Sequence, residues 1–443
     1  MSSEIAAVIM AGGLGTRMRS ATPKHFHPLL GRRMVDWVVG AAAELAPEPL
    51  VVVTSPENLG AYDGVAVAVQ KRALGTGDAV RSAAGLLEGF DGDVLILNGD
   101  VPALRPDVLR SLVEVHRDEQ AAATVLSFEP KQARHYGRIL RDGDRLLRIV
   151  EAVDASDEEL VVPEVNSGMY VFRADALWPA LERLEPRNKQ GELYITDAVG
   201  FLVEDGGLVA VYKAPDPLEA EGVNTRAELA ATAALLRNRI NEEHMLAGVS
   251  IADPGTTWID HGVELEADAT VHPFTVLRGS TRMATGAEIG PHAVAHDAEI
   301  GPGAVVGPFC YLRPGTVLAA GAKAGTFVEI KNARVGERSK VPHLSYIGDA
   351  EIGEDSNIGA GAITANFPHE PGQPKQQTKI GKNVRTAVHN AFVAPVEIGD
   401  DSWTAAGSVI TDDVPPGSLA GFPPRQITKE GYVSERAEPD DGD

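Results

Sequence analysis

From Val249 onward, aliphatic residues recur at every sixth position. Leu277, Met283 and Ile289 keep the step, then Ile300, Val306, Leu312, Leu318, Ala324 and Ile330, later Val341 and Ile347, Ile352 and Ile358, and finally Phe392, Ile398 and Ile410. A glycine often follows, as in Ile289-Gly290, Val306-Gly307 and Ile398-Gly399. Neither an α-helix nor an ordinary strand repeats at six residues. Short strands that each turn one aliphatic inward and bend at a small residue do, and stacked on one another they make a parallel β-helix. The repeat predicts that coil over residues 249–427 and leaves the first half of a 443-residue chain to fold around a different core.

That first half alternates. Apolar runs at Ile5–Met10, Leu50–Thr54, Val65–Val69 and Val94–Leu97 are separated by helix-patterned segments such as Met34–Leu45 and Gly77–Leu87. The order predicts a mostly parallel sheet with helices on both faces, whose ligands bind beyond the carboxyl ends of the strands. At such an end the chain reads VIMAGGLGTRMRSATPK, with Gly12, Gly13 and Gly15 followed by Arg17 and Lys24. Glycines let backbone N–H groups approach a phosphate chain, and the two cations add fixed positive charge. The loop is not a Walker A sequence, because no Gly-Lys-Ser/Thr follows. It is not a dinucleotide fingerprint either, because Met18 replaces the third glycine. A second strand end, VLILNGD, closes on Asp100, which reads either as a cap or as a ligand for a hard cation. Residues 225–248 are rich in helix formers, with Leu229, Ala233, Leu236 and Ile240 on one face, and read as a linking helix.

Glycine loop, Thr-Arg-Met and Pro-Lys together resemble the signature of sugar-1-phosphate nucleotidyltransferases. With Asp100, QKRALGTGD (Gln70–Asp78) and Gly222-Val223-Asn224, residues 1–224 resemble the corresponding domain of the GlmU family, bacterial bifunctional enzymes that make UDP-N-acetylglucosamine. The resemblance implies a Rossmann-like α/β domain in which Asp100 and Asn224 hold Mg²⁺. Met10, Ala11, Gly12, Gly13, Lys24, Gln70, Gly75 and Thr76 would bind UTP, with Gln70, Gly75 and Thr76 at the uracil. Gly137, Glu151, Asn166, Tyr194, Thr196 and Asn224 would bind the sugar phosphate. Arg17 and Lys24 would neutralise charge during the transfer. Asn98 departs from the tyrosine often found before Gly-Asp in the family.

Hexapeptide chains of this kind form left-handed triangular helices and associate as trimers, with acyl-CoA sites between neighbouring subunits. The same resemblance makes His343, in VPHLSYIGDAEIG, the base that takes a proton from the amine of glucosamine-1-phosphate during acetyl transfer. Arg313 and Lys331 would clamp the sugar phosphate, and Tyr346 and Asn357 would hold the sugar. Ala360, Asn366, Lys375, Ala406 and Arg425 would meet acetyl-CoA. The departures cluster on that last side: NFPHEPGQPK from Asn366 to Lys375 is longer than the family's run, and Ala387-Val388 followed by His389 stands where a Gly-Ser pair is usual.

A net charge of -23 argues against nucleic-acid and anionic-membrane partners, so positive charge for anionic substrates must be local. The single cysteine, Cys310, excludes an internal disulfide and fits a reducing, cytoplasmic setting. The MSSEIAAVIM start carries no basic n-region and enters a strand at once, which predicts no secretory leader. Residues 428–443 read as a solvated, disordered acidic tail. Two other readings share this plan: a nucleotidyltransferase for a different sugar phosphate with a structural β-helix, and a non-enzymic assembly subunit. The presence of Arg17, Lys24, Asp100 and Asn224 weighs against the last.

Overall fold

The computed structural model describes residues 4–13, 15–133, 135–143, 145–186, 188–368, 372–421, 426–430 and 432. Of the expected tail, only 428–430 and 432 lie within them. The chain divides into two compact units, Met1–Leu236 and Arg237–Asp443, and the division falls inside the long helix Arg226–Leu246.

In the first unit, a sheet runs in the order Val209–Lys213, Ala123–Phe128, Val165–Arg173, Asp93–Asn98, Ile5–Met10, Leu50–Thr54 and Ala66–Val69. Every neighbouring pair is parallel except those made by Val165–Arg173, which runs antiparallel to both its partners. The apolar runs become strands because they are buried on both faces. Along Ile5–Met10, Ala6, Val8 and Met10 pack into one core and Ala7 and Ile9 into the other. The helix expected over Gly77–Leu87 is interrupted: an α-helix covers Thr76–Arg81, and a single 3₁₀ turn follows at Ala84–Leu86. A hairpin, Arg138–Asp142 with Arg145–Val150, joins the sheet through Arg138 opposite Val165.

The second unit is a three-sided, left-handed parallel β-helix. Its three sheets stack strands of two to four residues, each in parallel register with a strand one coil on. Thr270 lies opposite Glu288, Glu288 opposite Val305 and Val305 opposite Lys323. The six-step aliphatics point inward; Leu277, Ile289, Leu312, Ile330, Ile347, Ile358 and Phe392 are all fully buried. Breaks in the step have a local cause. Ala295 to Ile300, Ile330 to Val335 and Ile347 to Ile352 advance by five, and each passes an Asp297, Asn332 or Asp349 in the left-handed conformation. A short Asx side chain tolerates that conformation and turns the corner with one residue fewer. Where an aliphatic is missing, a buried threonine takes its place at 364, 386 and 404.

On the corner between the first and second sheets, Phe274, His292, Phe309 and Phe327 stack with ring centroids 4.7, 5.0 and 5.3 Å apart. Phe274, Phe309 and Phe327 are about half exposed, and Leu344 in the next coil is 60 % exposed. Inside the coil there is no such slack. A Cβ on Gly325 would collide with the Pro342 carbonyl of the coil above. Gly325→Ala should therefore cost about 1–3 kcal/mol in stability by overpacking, read as a lowered midpoint in thermal or denaturant unfolding; an unchanged midpoint would mean that the coils part more easily than their spacing implies.

Candidate functional site

The carboxyl ends of Ile5–Met10 and Asp93–Asn98 open into a cavity of about 420 Å³. Met10, Gly12, Gly13, Gly15, Arg17 and Lys24 line one side, Gln70, Gly75 and Thr76 another, and Asn98, Asp100 and Asn224 the floor. Gly15 is there for a steric reason. It is left-handed at φ 59°, and a Cβ would run into the Lys24 side chain. Without that Cβ, Lys24 folds under the loop, where it is only 8 % exposed. Its ammonium donates to Asp100 Oδ2 and, at 2.7 Å, to Asn224 Oδ1. Arg17 donates to the same Asn224 oxygen at 2.8 Å and meets His135 Nε2 at 2.7 Å.

Asn224 is placed by the start of the long helix. The Glu228 carboxylate accepts from the Asn224 and Thr225 N–H groups at 2.7 and 3.0 Å, and the Thr225 hydroxyl accepts from the Glu228 N–H at 3.2 Å. That reciprocal cap fixes the backbone carrying Asn224. Asp100 is fixed by the Val223 N–H, which donates to its carbonyl at 2.8 Å. Burial by itself would raise the Asp100 carboxyl, but the Lys24 ammonium beside it outweighs burial and holds the group below its ordinary range, so it is a carboxylate at neutral pH. Two oxygens from residues far apart in sequence thus converge on one cationic nitrogen. A lysine ammonium in that position is a stand-in for a cation, and a carboxylate with an amide oxygen is a hard donor pair suited to Mg²⁺ that keeps water and phosphate oxygens for its other positions. Among the described residues no three His, Cys, Asp or Glu side chains converge as a metal cluster.

Not every nucleotide position faces the cavity. Ala11 lies behind it, buried, its N–H donated to Val53 O at 2.8 Å. Gln70 uses its amide N–H₂ on Gly75 O at 3.1 Å and on Asp78 Oδ2 at 3.0 Å. Its carbonyl oxygen is thereby left facing Gly12, 3.1 Å from where a Cβ there would sit. Thr76 holds the Ile195 N–H at 3.1 Å.

The sugar positions gather around Glu151. Thr196 donates to its carboxylate at 3.1 Å, Gly137 packs against it, and Asn166 donates to Tyr170 Oη at 2.7 Å while its N–H bonds Gly137 O at 2.8 Å. Burial raises the Glu151 carboxyl, and burial beside Glu151 pushes the Tyr194 phenol up to about 12; its hydroxyl donates to Gln190. Asn224, expected in both sets, sits with the cation group.

Sequence reasoning missed His25. It reads as one more polar residue in a short turn, yet it is 5 % exposed, it lines the cavity, and burial pushes it down to about 4 against the pull of Asp100. It missed His135 as a partner of Arg17 as well.

In the β-helix the structure separates what the sequence grouped. His343 ends the strand Lys340–His343 and, exposed, occupies the corner between the first and second sheets. Ala360 and Ala406 lie on the same corner in later coils, and Asn357 bridges Lys340 and Arg385 on the first sheet. Arg313 and Lys331 occupy the next corner, between the second and third sheets. With them are Lys375, whose like charge beside Lys331 pushes it below its ordinary value, and Asn366, which donates to Asp349. The Tyr346 hydroxyl turns toward this group, beside Gly348 and Asn366. Arg313 meanwhile pairs with Glu329 at 2.7 Å. Asn366 and Lys375, expected at acetyl-CoA, therefore stand with the sugar-phosphate cations and apart from Ala360 and Ala406. Arg425 lies outside the described residues. Among the described residues no helix is long and apolar enough to cross a membrane.

Comparison with known proteins agrees with both halves. Residues 7–198 match the MobA-like NTP transferase domain family. The Bifunctional protein GlmU of Streptomyces avermitilis is 46 % identical, the match covering 97 % of this chain and 94 % of the relative. That of Streptomyces coelicolor is 45 % identical with the same coverage, and that of Caldanaerobacter subterraneus subsp. tengcongensis is 43 % identical over 98 % of each. At this identity over nearly the whole of both chains, the protein belongs to the GlmU family.

Proposed function

We propose that the protein makes UDP-N-acetylglucosamine in two steps: acetyl transfer from acetyl-CoA to glucosamine-1-phosphate on the β-helix, then uridylyl transfer from UTP in the first unit. The observation that carries the second step is the meeting of Lys24, Arg17, Asp100 and Asn224 in one glycine-lined cavity. The phosphate oxygen of N-acetylglucosamine-1-phosphate attacks the α-phosphorus of UTP in line, and pyrophosphate leaves on the opposite side. No protein nucleophile is needed; the work is to align two polyanions and offset their charge. Mg²⁺, held by Asp100 and Asn224, supplies charge at the triphosphate when bound. Lys24 and Arg17 reach the phosphates from the loop, Gln70, Gly75 and Thr76 present the uracil edge, and the group around Glu151 holds the sugar.

For the first step the glucosamine amine attacks the acetyl carbonyl carbon, His343 takes the amine proton, and the CoA thiolate leaves. His343 and the Arg313–Lys331 cations occupy different corners of the β-helix, so a complete site takes one corner from each of two copies. A homotrimer closes that arrangement three times over, and the half-exposed phenyl ladder running up to Leu344 beside His343 supplies apolar surface for the contact.

Incubating the purified chain with Mg²⁺, acetyl-CoA, UTP and glucosamine-1-phosphate should give the nucleotide sugar and pyrophosphate. Leaving out acetyl-CoA and supplying N-acetylglucosamine-1-phosphate should preserve only the second step. Nucleotide-sugar formation from an unacetylated sugar phosphate, with no CoA released, would favour a nucleotidyltransferase of other specificity. The shared site has its own test. His343→Ala and Lys331→Ala chains, each inactive in acetylation, should recover about a quarter of wild-type sites when unfolded and reassembled together at equal amounts, because one mixed site in four draws both good corners. No recovery in mixed trimers would place the whole site within one chain.

A further inference from the structure

Asp100 and Asn224 give a cation only two protein oxygens, and a third group stands beside them without a task in the reaction as described. His25 is 5 % exposed and lines the same cavity. Its ring makes no hydrogen bond to another described residue, and neither nitrogen is among the atoms sealed away without a partner, so the ring is open to the cavity it lines. A neutral ring nitrogen that faces a cavity with no protein partner keeps its lone pair for a ligand there. The ring's direction says where. Its Cδ2 lies 3.3 Å from where a Cβ on Gly99 would sit, and its Cε1 3.8 Å from where one on Gly13 would sit. Nε2 is bonded to both those carbons, so it projects into the gap between the phosphate loop and the strand end that carries Asp100.

Resting on the uridylyl-transfer reading of this cavity, we propose that His25 Nε2 is a third protein ligand of the divalent cation held by Asp100 and Asn224. A site of one carboxylate, one amide oxygen and one imidazole is softer than an all-oxygen site. Imidazole favours later first-row metals over Mg²⁺, so the protein should take Mn²⁺ or Co²⁺ more tightly than an Asp–Asn pair would by itself. Lys24 bears on the order of events. Its ammonium holds both oxygens while no cation is present. The cation therefore enters together with the triphosphate, which draws Lys24 away, and the test has to include UTP.

Pulsed electron paramagnetic resonance of Mn²⁺ bound to the full-length protein with UTP reads the ligand directly. The wild type should give a directly bound imidazole ¹⁴N coupling that becomes a ¹⁵N coupling when the protein is grown on ¹⁵N-histidine. The coupling should vanish in His25→Val and in the more conservative His25→Gln. In both variants the Mn²⁺ dissociation constant should rise about tenfold or more, with UTP-dependent binding still measurable. Stoichiometric Mn²⁺ binding in the presence of UTP with no histidine nitrogen coupling would overturn the proposal and leave the uridylyl-transfer reading standing. Mn²⁺ that fails to bind even with UTP present would overturn both.

Discussion

Lys24→Ala lowers uridylyl transfer by two to three orders of magnitude, roughly the loss seen when one preorganised charge-stabilising donor is removed from an active site, and leaves acetylation of glucosamine-1-phosphate at its wild-type rate. The size follows from the surroundings. The Lys24 ammonium is nearly buried beneath a glycine loop and lies among groups that bring together two substrates of the same sign. In so dry a place each missing positive charge costs far more than on a wetted surface. Alanine also leaves the Asp100 carboxylate without the partner that holds its proton affinity down. A loss of activity has to be separated from a loss of folding, and Lys24→Arg does this: it keeps the charge and the pairing but moves the donor. It should melt near the wild-type temperature and still turn over slowly. Quenched-flow or coupled pyrophosphate release measures the rate. A Lys24→Ala protein within threefold of wild type would remove the cation-centred account of this half.

His343→Ala is the counterpart in the β-helix. Acetylation should fall by about 10²–10⁴-fold, the range for a positioned general base, and uridylyl transfer from ready-made N-acetylglucosamine-1-phosphate should not change. His343 is exposed on its corner within one chain, and among the described residues no hydrogen bond of its side chain supports the coil, so the variant should keep its thermal midpoint. A second variant separates proton removal from packing. His343→Gln keeps a polar side chain of similar reach but cannot take the amine proton, so it should be as slow as His343→Ala. If both activities disappear together with stability intact, the two halves do not work independently.

Much of the fold was legible because the same few atoms recur in the same environment. An aliphatic at every sixth position is what a three-sided coil needs at its centre, and Leu277, Ile289 and Phe392 sit there. What the repeat hid was polar. Thr364, Thr386 and Thr404 occupy inward positions because each hydroxyl accepts an N–H from a neighbouring coil, from Gly348 and Gly359 at 2.7 Å and from Ala387 at 3.3 Å. No hydrophobic pattern can report such a residue. The antiparallel course of Val165–Arg173 was hidden too, since a strand buried on both faces reads the same in either direction. In the site, the glycine loop and its cations announced themselves locally. The meeting of Lys24 with Asn224 needed the family resemblance, because pairing across most of a domain leaves no trace in spacing. His25 left none at all: a histidine in a turn carries the same letter whether it is wetted or walled in.

The β-helix also explains where this chain could afford to differ. Between Ala365, which ends a second-sheet strand, and Thr378, which opens one in the third, the chain carries twelve residues where the next coil has two, Ala394 and Pro395. The coils on either side stay in step across it, with Thr364 opposite Phe392 and Ile352 opposite Ile380. An insertion at a corner leaves the prism sideways and returns to the same rung. The scaffold thus separates what may vary from what may not: edges can lengthen, shorten or change their chemistry while the stacked rungs keep their count. Substrate preference in such a molecule can drift at its edges without the architecture having to be reinvented.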